Sequence, residues 1–360
     1  MEIVTEEIDK AETKREPIVF IPNDLIIDIL SRLPVKTLVR FKSVCKSWQA
    51  LISDLKFSFP TKGRIHAMCF TKASLMDGTF YSLDNEFVVE ELPSPVGPIS
   101  GDEFQLLGSC NGMLLFWSSG CTYIWNPTTR WCRELSQLNG LLSSPLHNIS
   151  SGLCYDKSTD DYKAVIIDTR LVYMASLRAR KIKIIDNNFP YRVPSIQITT
   201  SGILVNDHLH WVVYEGSLEN WQLIVYFDER TNVFNQLPMP ETVENYELIF
   251  GLGVLDGCLS MSRVLSKGQA VGNILVTSMR EYGVKESWTA LFALQDWVAP
   301  IFSIKSNEQV LLANTFSMGS YNTKNKKTKK ICVRNNKCQN STLANCPVTY
   351  VESVASIRWG

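Results

Sequence analysis

Histidine is scarce in this chain, which has four in 360 residues: His66, His147, His208 and His210. Acid–base enzymes working near neutral pH draw on histidine first. Only His208 and His210 stand close together, flanking Leu209 on what reads as a strand, so both point to one face. No glutamate stands at metalloprotease spacing, and a wet sheet face is the plainer reading of the pair. Net charge is also missing, since 36 Lys and Arg balance 36 Asp and Glu. The chain therefore lacks the broad positive field of a dedicated nucleic-acid binder, and no nucleic-acid partner is expected. No uninterrupted apolar run reaches about 18 residues, which argues against a membrane span. The opening MEIVTEEIDKAETKREP is polar and acidic, without the apolar core of a secretory signal. The ten cysteines include no C-x-x-C pair; Cys332, Cys338 and Cys346 cluster without a nearby histidine, so no zinc site is expected. No G-x-S-x-G elbow and no Walker loop occurs. These absences lead to the expectation of a soluble intracellular protein, cytoplasmic with the nucleus left open, that carries no metal and no cofactor and is not an enzyme.

Apolar residues make up 45% of the chain, enough for a sizeable core. Residues 18 to 53 read as three short helices. Asn23 and Asp24 can cap the first, behind Pro22, and Leu25, Ile26, Ile29, Leu30 and Leu33 follow at helical spacing. Pro34 ends that helix and can open the next. Leu38, Phe41, Cys45 and Trp48 recur at steps of three and four, as do Val44, Trp48, Leu51 and Ile52. So small a unit cannot bury a proper core alone and needs a partner surface. A helix-turn-helix DNA reader is disfavoured, because the last helix shows Val44, Trp48, Leu51 and Ile52, with Lys42 and Lys46 as its only basic pair.

From about Arg64 the pattern turns to strands punctuated by Gly, Asn, Asp and Pro. Cys110-Asn111-Gly112-Met113-Leu114-Leu115 has counterparts around Leu209, Leu259 and Leu311. Leu209 and Leu259 lie 50 residues apart, Leu259 and Leu311 52, and Leu114 and Leu209 95, about two such units. A second marker is an Asn or Asp with Thr or Asn three residues on and an apolar residue nine on. It occurs at Asn126, Asp156, Asp228 and Asn322, where the side chain can bond the backbone two residues later and fix a tight turn. A period near 50 with this turn chemistry fits four-stranded propeller blades, about six of them, blurred by insertions at 138–150 and 187–194. The fold class expected is mainly β: a three-helix unit, then a β-propeller-like domain.

The run IPNDLIIDILSRLPVKTLVRFKSVCKSWQALIS resembles the F-box, a motif that docks a cullin-based ubiquitin ligase scaffold through a Skp-type adaptor. Ile21 stands where family members usually carry Leu. The resemblance implies that Ile21, Pro22, Leu25, Ile29, Leu33, Pro34, Leu38, Val44, Cys45 and Trp48 supply the adaptor contact. The later stretches Leu107–Gly112, Ile124–Arg130, Gly152–Asp156, Gly202–Asn206, Leu209–Trp211, Glu281–Trp288 and Tyr350–Ser353 look like the F-box-associated domain of plant F-box proteins. This implies a tail at 1–17, an F-box at 18–57 and an F-box-associated domain at 64–355. It also implies a non-catalytic substrate receptor of a ubiquitin ligase, with the adaptor, the cullin behind it and a protein substrate as partners. Some family members bind S-locus ribonucleases and others immune receptors. Substrate contact is expected on propeller loops, with Trp221, Trp297 and Arg192 as candidates. Two other readings stay open: an enzyme using a propeller pocket, or an interaction scaffold outside ubiquitin chemistry. The run Lys324–Lys330, with five lysines, reads as an exposed hairpin turn before it reads as an import signal or an acidic-partner patch.

Overall fold

Two prolines divide the front of the chain. In the computed structural model, Pro22 is the N-cap of α1 (Asn23–Ser31) and its carbonyl accepts from the backbone N–H of Leu25 and Ile26 at 3.1 and 3.2 Å. Pro34 does the same for α2 (Val35–Phe41), accepting from Thr37 and Leu38 at 2.9 and 3.1 Å. Asn23 and Asp24 therefore fall inside the first turn of α1 instead of capping it, and no side chain caps that helix. Asp24 still faces the positive end of the helix dipole. A short turn through Ser43, Val44 and Cys45 leads into α3 (Lys46–Ser53). The structure describes residues 21–53, 65–74, 77–84, 88–99, 104–142, 149–193, 201–216, 222–240, 248–265, 273–294, 299–304, 309–313, 318–331, 342–343, 348–355 and 357.

The strands are grouped in antiparallel meanders. The first holds β1 (Ile65–Ser74), β2 (Asp77–Asp84) and β3 (Val89–Leu92). The second holds β4 (Phe104–Cys110), β5 (Met113–Ser118), β6 (Cys121–Asn126) and β7 (Trp131–Glu134). The third holds β8 (Ile149–Asp156), β9 (Asp161–Asp168), β10 (Leu171–Ser176) and β11 (Lys181–Asp186). In the fourth, β12 (Tyr191–Arg192) and β13 (Ile203–Val205) both pair with β14 (His208–Glu215), which continues to β15 (Gln222–Asp228) and β16 (Val233–Gln236). The fifth runs β17 (Ile249–Leu255), β18 (Cys258–Leu265), β19 (Asn273–Met279) and β20 (Trp288–Leu294). The sixth runs β21 (Ala299–Ile304), β22 (Gln309–Ala313), β23 (Met318–Asn322) and β24 (Lys327–Ile331). Finally β25 (Thr342–Leu343) and β26 (Val348–Val351) return to pair with β1.

By hydrogen bonding these make five sheets, because a single parallel bridge between Val254 and Phe302 joins the fifth and sixth meanders into one of eight strands. The innermost strands β26, β4, β8, β13, β17 and β21 each touch the next, and β21 touches β26, so the propeller is closed. Closure leaves no open seam around the ring, and the edges that remain are the outer strands of the meanders. The apolar core lies in slabs between neighbouring meanders. Phe80, Phe104, Phe116 and Trp125 fill the first gap, with Leu115, Leu153 and Ile166 in the next. Phe189, Trp211 and Phe227 follow, then Ile224, Leu252 and Met261, and finally Val276, Leu312 and Tyr321.

The turns carry the expected chemistry. Asn126, Asp156, Asp228 and Asn322 each accept, through a side-chain oxygen, from the backbone N–H two residues on, at 2.9, 2.8, 2.9 and 3.0 Å. The pairs Asn111-Gly112, Asn206-Asp207 and Asp256-Gly257 have both residues at positive φ, the type I′ geometry of two-residue hairpins. Those three turns join first to second strands, and Asp156 opens the corresponding turn of the third meander. Asn126, Asp228 and Asn322 instead join third to fourth strands. The second marker thus mixes two positions in the blade, and Asp156 fills the long gap between Leu114 and Leu209.

Where β4 meets β8 the backbones approach closely. A Cβ on Gly108 would sit 2.7 Å from the amide nitrogen of Leu153 and 3.1 Å from Gly152 Cα, atoms of a neighbouring strand with little room to move. Gly108→Ala should lower stability by about 1–3 kcal/mol, the usual cost of overpacking, as a fall in denaturation midpoint at unchanged m-value. A variant as stable as the wild type would show that the ring tolerates spreading at this contact.

Candidate functional site

α1 carries two apolar stripes. Ile26 and Leu30, with Leu33 just beyond the helix, point inward and pack with Val35, Leu38, Phe41, Trp48 and Ile52 of the following helices. Leu25 and Ile29, one turn apart, point outward at 56% and 55% exposure, continued by Ile21 at 49%. Val44, in the turn before α3, is 61% exposed. Of nine large apolar side chains left exposed among the described residues, five belong to this small unit, the fifth being Ile27. That concentration marks a surface awaiting a partner.

The residues singled out for adaptor contact separate into groups. Ile21, Pro22, Leu25, Ile29, Pro34, Val44 and Cys45 are exposed, the Cys45 thiol lying 3.1 Å from Ser47 Oγ. Leu33 and Trp48 are partly buried against the helical core, where the Trp48 ring leans on Phe41 with centroids 5.3 Å apart. Leu38 is 3% exposed, and its side chain is spent on that core. Its apolar period alone could not separate inward from outward, because both stripes of this motif are apolar.

The helices meet the ring at the end bearing the first-to-second-strand turns. Val354, just beyond β26, is a member of the helical cluster, and Lys42 Nζ donates to its carbonyl at 3.0 Å. Lys36 Nζ stands 3.5 Å from Glu90 Oε2, an exposed pair of little energetic weight. The β23–β24 turn carrying Lys324 and Lys326 also belongs to this end and is exposed, as a surface hairpin should be. In antiparallel meanders the second-to-third-strand turns, and the connections between meanders, lie at the opposite end. Arg192 is there, exposed on β12 opposite Tyr214. Trp221 and Trp297 fall in the connections β14–β15 and β20–β21, outside the described residues.

The remaining groups with chemical potential are tied into the scaffold. His208 and His210 do share a face, and both rings lie against Tyr226 and Tyr282. The face is not wet, however: His210 is fully buried because Tyr282 of the fifth meander covers it. Its Nδ1–H donates to the Ile203 carbonyl at 3.2 Å, so Nε2 accepts from the Tyr282 hydroxyl at 2.7 Å. Burial pushes its pKa down to about 4, only partly offset by the bond to Ile203. His208, Asp228 and Glu229 bring ligand-type atoms within 4.8 Å of one another. The Asp228 carboxylate is already committed to its turn, accepting from Arg230 N–H and Thr231 N–H. His208 Nδ1 lies 3.4 Å from Glu229 Oε2 without hydrogen-bond alignment, and the cluster gives no reason to assign a metal. The Cys110 thiol, which precedes the Asn111-Gly112 turn, is buried, and burial raises its pKa well above the ordinary value. That is the reverse of an activated nucleophile. Asp156 is partly desolvated, which alone would raise its pKa. Bonds from Lys163, Ser158 and Thr159 outweigh burial and hold it below the usual carboxylate range. It is a structural anchor. Among the described residues no helix is long and apolar enough to cross a membrane.

Residues 20–60 match the family model of the F-box domain, and residues 68–259 that of the F-box associated beta propeller domain. An F-box/kelch-repeat protein of Arabidopsis thaliana is 30% identical over 328 residues, covering 85% of this chain and 88% of its own. The F-box protein CPR1 of the same plant is 28% identical over 342 residues, covering 81% of this chain and 79% of its own. A chain from the nidogen/laminin complex superposes with a TM-score of 0.48 at 10% identity, covering 80% of this chain and 99% of that one. A three-helix motif ahead of a closed propeller defines the class. The chain belongs to the F-box proteins that carry an F-box-associated propeller domain.

His210 yields a pH test. Above pH 6.5 the imidazole is neutral in both folded and unfolded chains. Between 6.5 and about 4 only the unfolded chain takes the proton, so stability falls as pH falls through that window, by up to about 3 kcal/mol. Melting followed from pH 7 to 4 should decline less steeply in His210→Gln than in the wild type. Parallel curves would show that His210 does not titrate differently on folding.

Proposed function

We propose that this chain is the substrate-recognition subunit of a Skp–cullin–F-box ubiquitin ligase. The helical unit, about residues 18–57, docks the Skp-type adaptor, and the propeller, about residues 64–355, selects a protein for ubiquitination and proteasomal degradation. The observation that carries this reading is the outward stripe Ile21, Leu25 and Ile29, with Val44 beside the helical turn. These apolar side chains stay exposed although the inner stripe of the same helix is packed away. Pro22, Pro34 and Cys45 are the further exposed contacts, while Leu33 and Trp48 shape the surface from beneath and Leu38 supports it from the core. Ubiquitin transfer belongs to a separate conjugating enzyme on the scaffold. This chain contributes proximity, which needs no catalytic residue of its own. Substrate contact falls to the end of the ring facing away from the helices, where Arg192 lies; Trp221 and Trp297, outside the described residues, are the further candidates.

Burying a Leu or Ile side chain is worth about 1.5–3 kcal/mol. Leu25→Ala with Ile29→Ala should therefore weaken adaptor binding by about a hundredfold or more, with the melting temperature nearly unchanged because both side chains are exposed. Proximity labelling with the proteasome blocked completes the test: the double variant should capture the same proteins as the wild type but leave them unmodified. Undiminished co-purification of adaptor and cullin, or unchanged ubiquitination of the captured proteins, would overturn the proposal.

A further inference from the structure

The three helices do not complete their own core. Val354 is 1% exposed and, among the described residues, is the one member of the helical cluster supplied from outside residues 21–53. Its neighbours face the other way. Ser353 is buried against the second meander: its hydroxyl donates to the Asn111 carbonyl at 2.8 Å. The Asn126 side-chain amide donates to the Ser353 and Ala355 carbonyls at 3.1 and 2.9 Å. Ala355 and Ile357 sit in the apolar slab between the second and third meanders. Extended chain alternates its side chains between opposite sides. Here the alternation gives Ser353, Ala355 and Ile357 to the ring and Val354 to the helices. Gly112 leaves the room for this path, since a Cβ there would lie 2.1 Å from Ser353 Oγ and 2.6 Å from the Val351 carbonyl. On the helical side Lys42 Nζ reaches the Val354 carbonyl, and burial lowers the pKa of that ammonium.

We propose that residues 353–355 form a clamp between the two domains, with Val354 as the positioning residue that locks the helices onto the turn end of the ring. The clamp fixes the direction in which the opposite end of the ring is presented. For its use in ubiquitin transfer it rests on the ligase reading above, but its physical existence does not. Holding the propeller at one orientation to the adaptor would keep a bound target within reach of the conjugating enzyme.

Hydrogen–deuterium exchange and small-angle scattering on the full chain, without adaptor, test the clamp directly. In Val354→Asp the amides of α1, α2 and α3 should exchange at least tenfold faster and the molecule should expand, while β4 and β8 keep wild-type protection. Val354→Ile should behave as the wild type, and Val354→Ala and Lys42→Met should each raise helical exchange a few-fold. Should Val354→Asp also strip protection from β4 and β8, Val354→Ala decides on the same two readouts. Helical exchange and scattering unchanged in both Val354→Asp and Val354→Ala would overturn the clamp. Failure of the wild-type chain to bind adaptor would instead strike the ligase reading and leave these measurements standing.

Discussion

β26 pairs with β1 through Ile65↔Val351 to Met68↔Val348, and most of the architecture hangs on those few backbone bonds. They supply the first meander with its innermost strand, so that β26 can touch both β4 and β21 and close the ring. Tyr350 then sits in the first apolar slab with Phe80 and Trp125, and its hydroxyl lies 3.0 Å from Ser82 Oγ. The same pairing aims the following residues at the turn end, where Ser353 meets Asn111 and Val354 meets the helices. Ring closure and domain docking are therefore successive results of one strand being in place.

The helical unit shows how a motif too small for a self-sufficient core divides its apolar residues. The inner stripe of α1 is covered from within the chain, partly by a single valine from the far end of the fold. The outer stripe is left uncovered, and exposed Leu and Ile on the same helix cost solubility unless another protein takes them. Polar groups follow a matching division. Asn126 is fully buried, and its amide and carbonyl are both spent on holding backbone, one on the 353–355 segment and the other on its own turn. A buried amide with partners on both sides rigidifies its surroundings, whereas one left unpaired would be costly.

Much of this was legible in the amino-acid order. Pro22 and Pro34 punctuate the helices as their chemistry dictates, and the oxygens of Asn126, Asp156, Asp228 and Asn322 make the turn bonds their side chains invite. Local rules suffice where the determining contacts lie within three or four residues. They fail where a distant segment decides. Apolar spacing along α1 could not tell Leu25 from Leu30, because the sorting depends on which neighbours arrive from elsewhere. His210 reads as a surface strand position until Tyr282 covers it. The ending Tyr350–Ser353 was visible as a family resemblance, but its physical role emerges only when residues 353–355 are seen between two domains. In the sequence the count of meanders is blurred by the insertions at 138–150 and 187–194; in the structure the single Val254–Phe302 bridge merges two of them by hydrogen bonding, although six innermost strands line the ring.

Lys42 and Val354 are 312 residues apart in the chain. At a synthesis rate of about 5–20 residues per second, roughly 15–60 s pass between the appearance of one and the other on the ribosome. Throughout that interval the helices have a gap in their core, the first meander lacks its inner strand and the ring has an open seam. The nascent chain thus exposes apolar surface and an unpaired strand edge for far longer than a chain built from sequential contacts. Any protein that engages the outward face of α1 early would be holding an unfinished fold, and quality control has a long window in which to act on it. Completion of the ring and of the helical core both await one short segment, β26 and the residues that follow it.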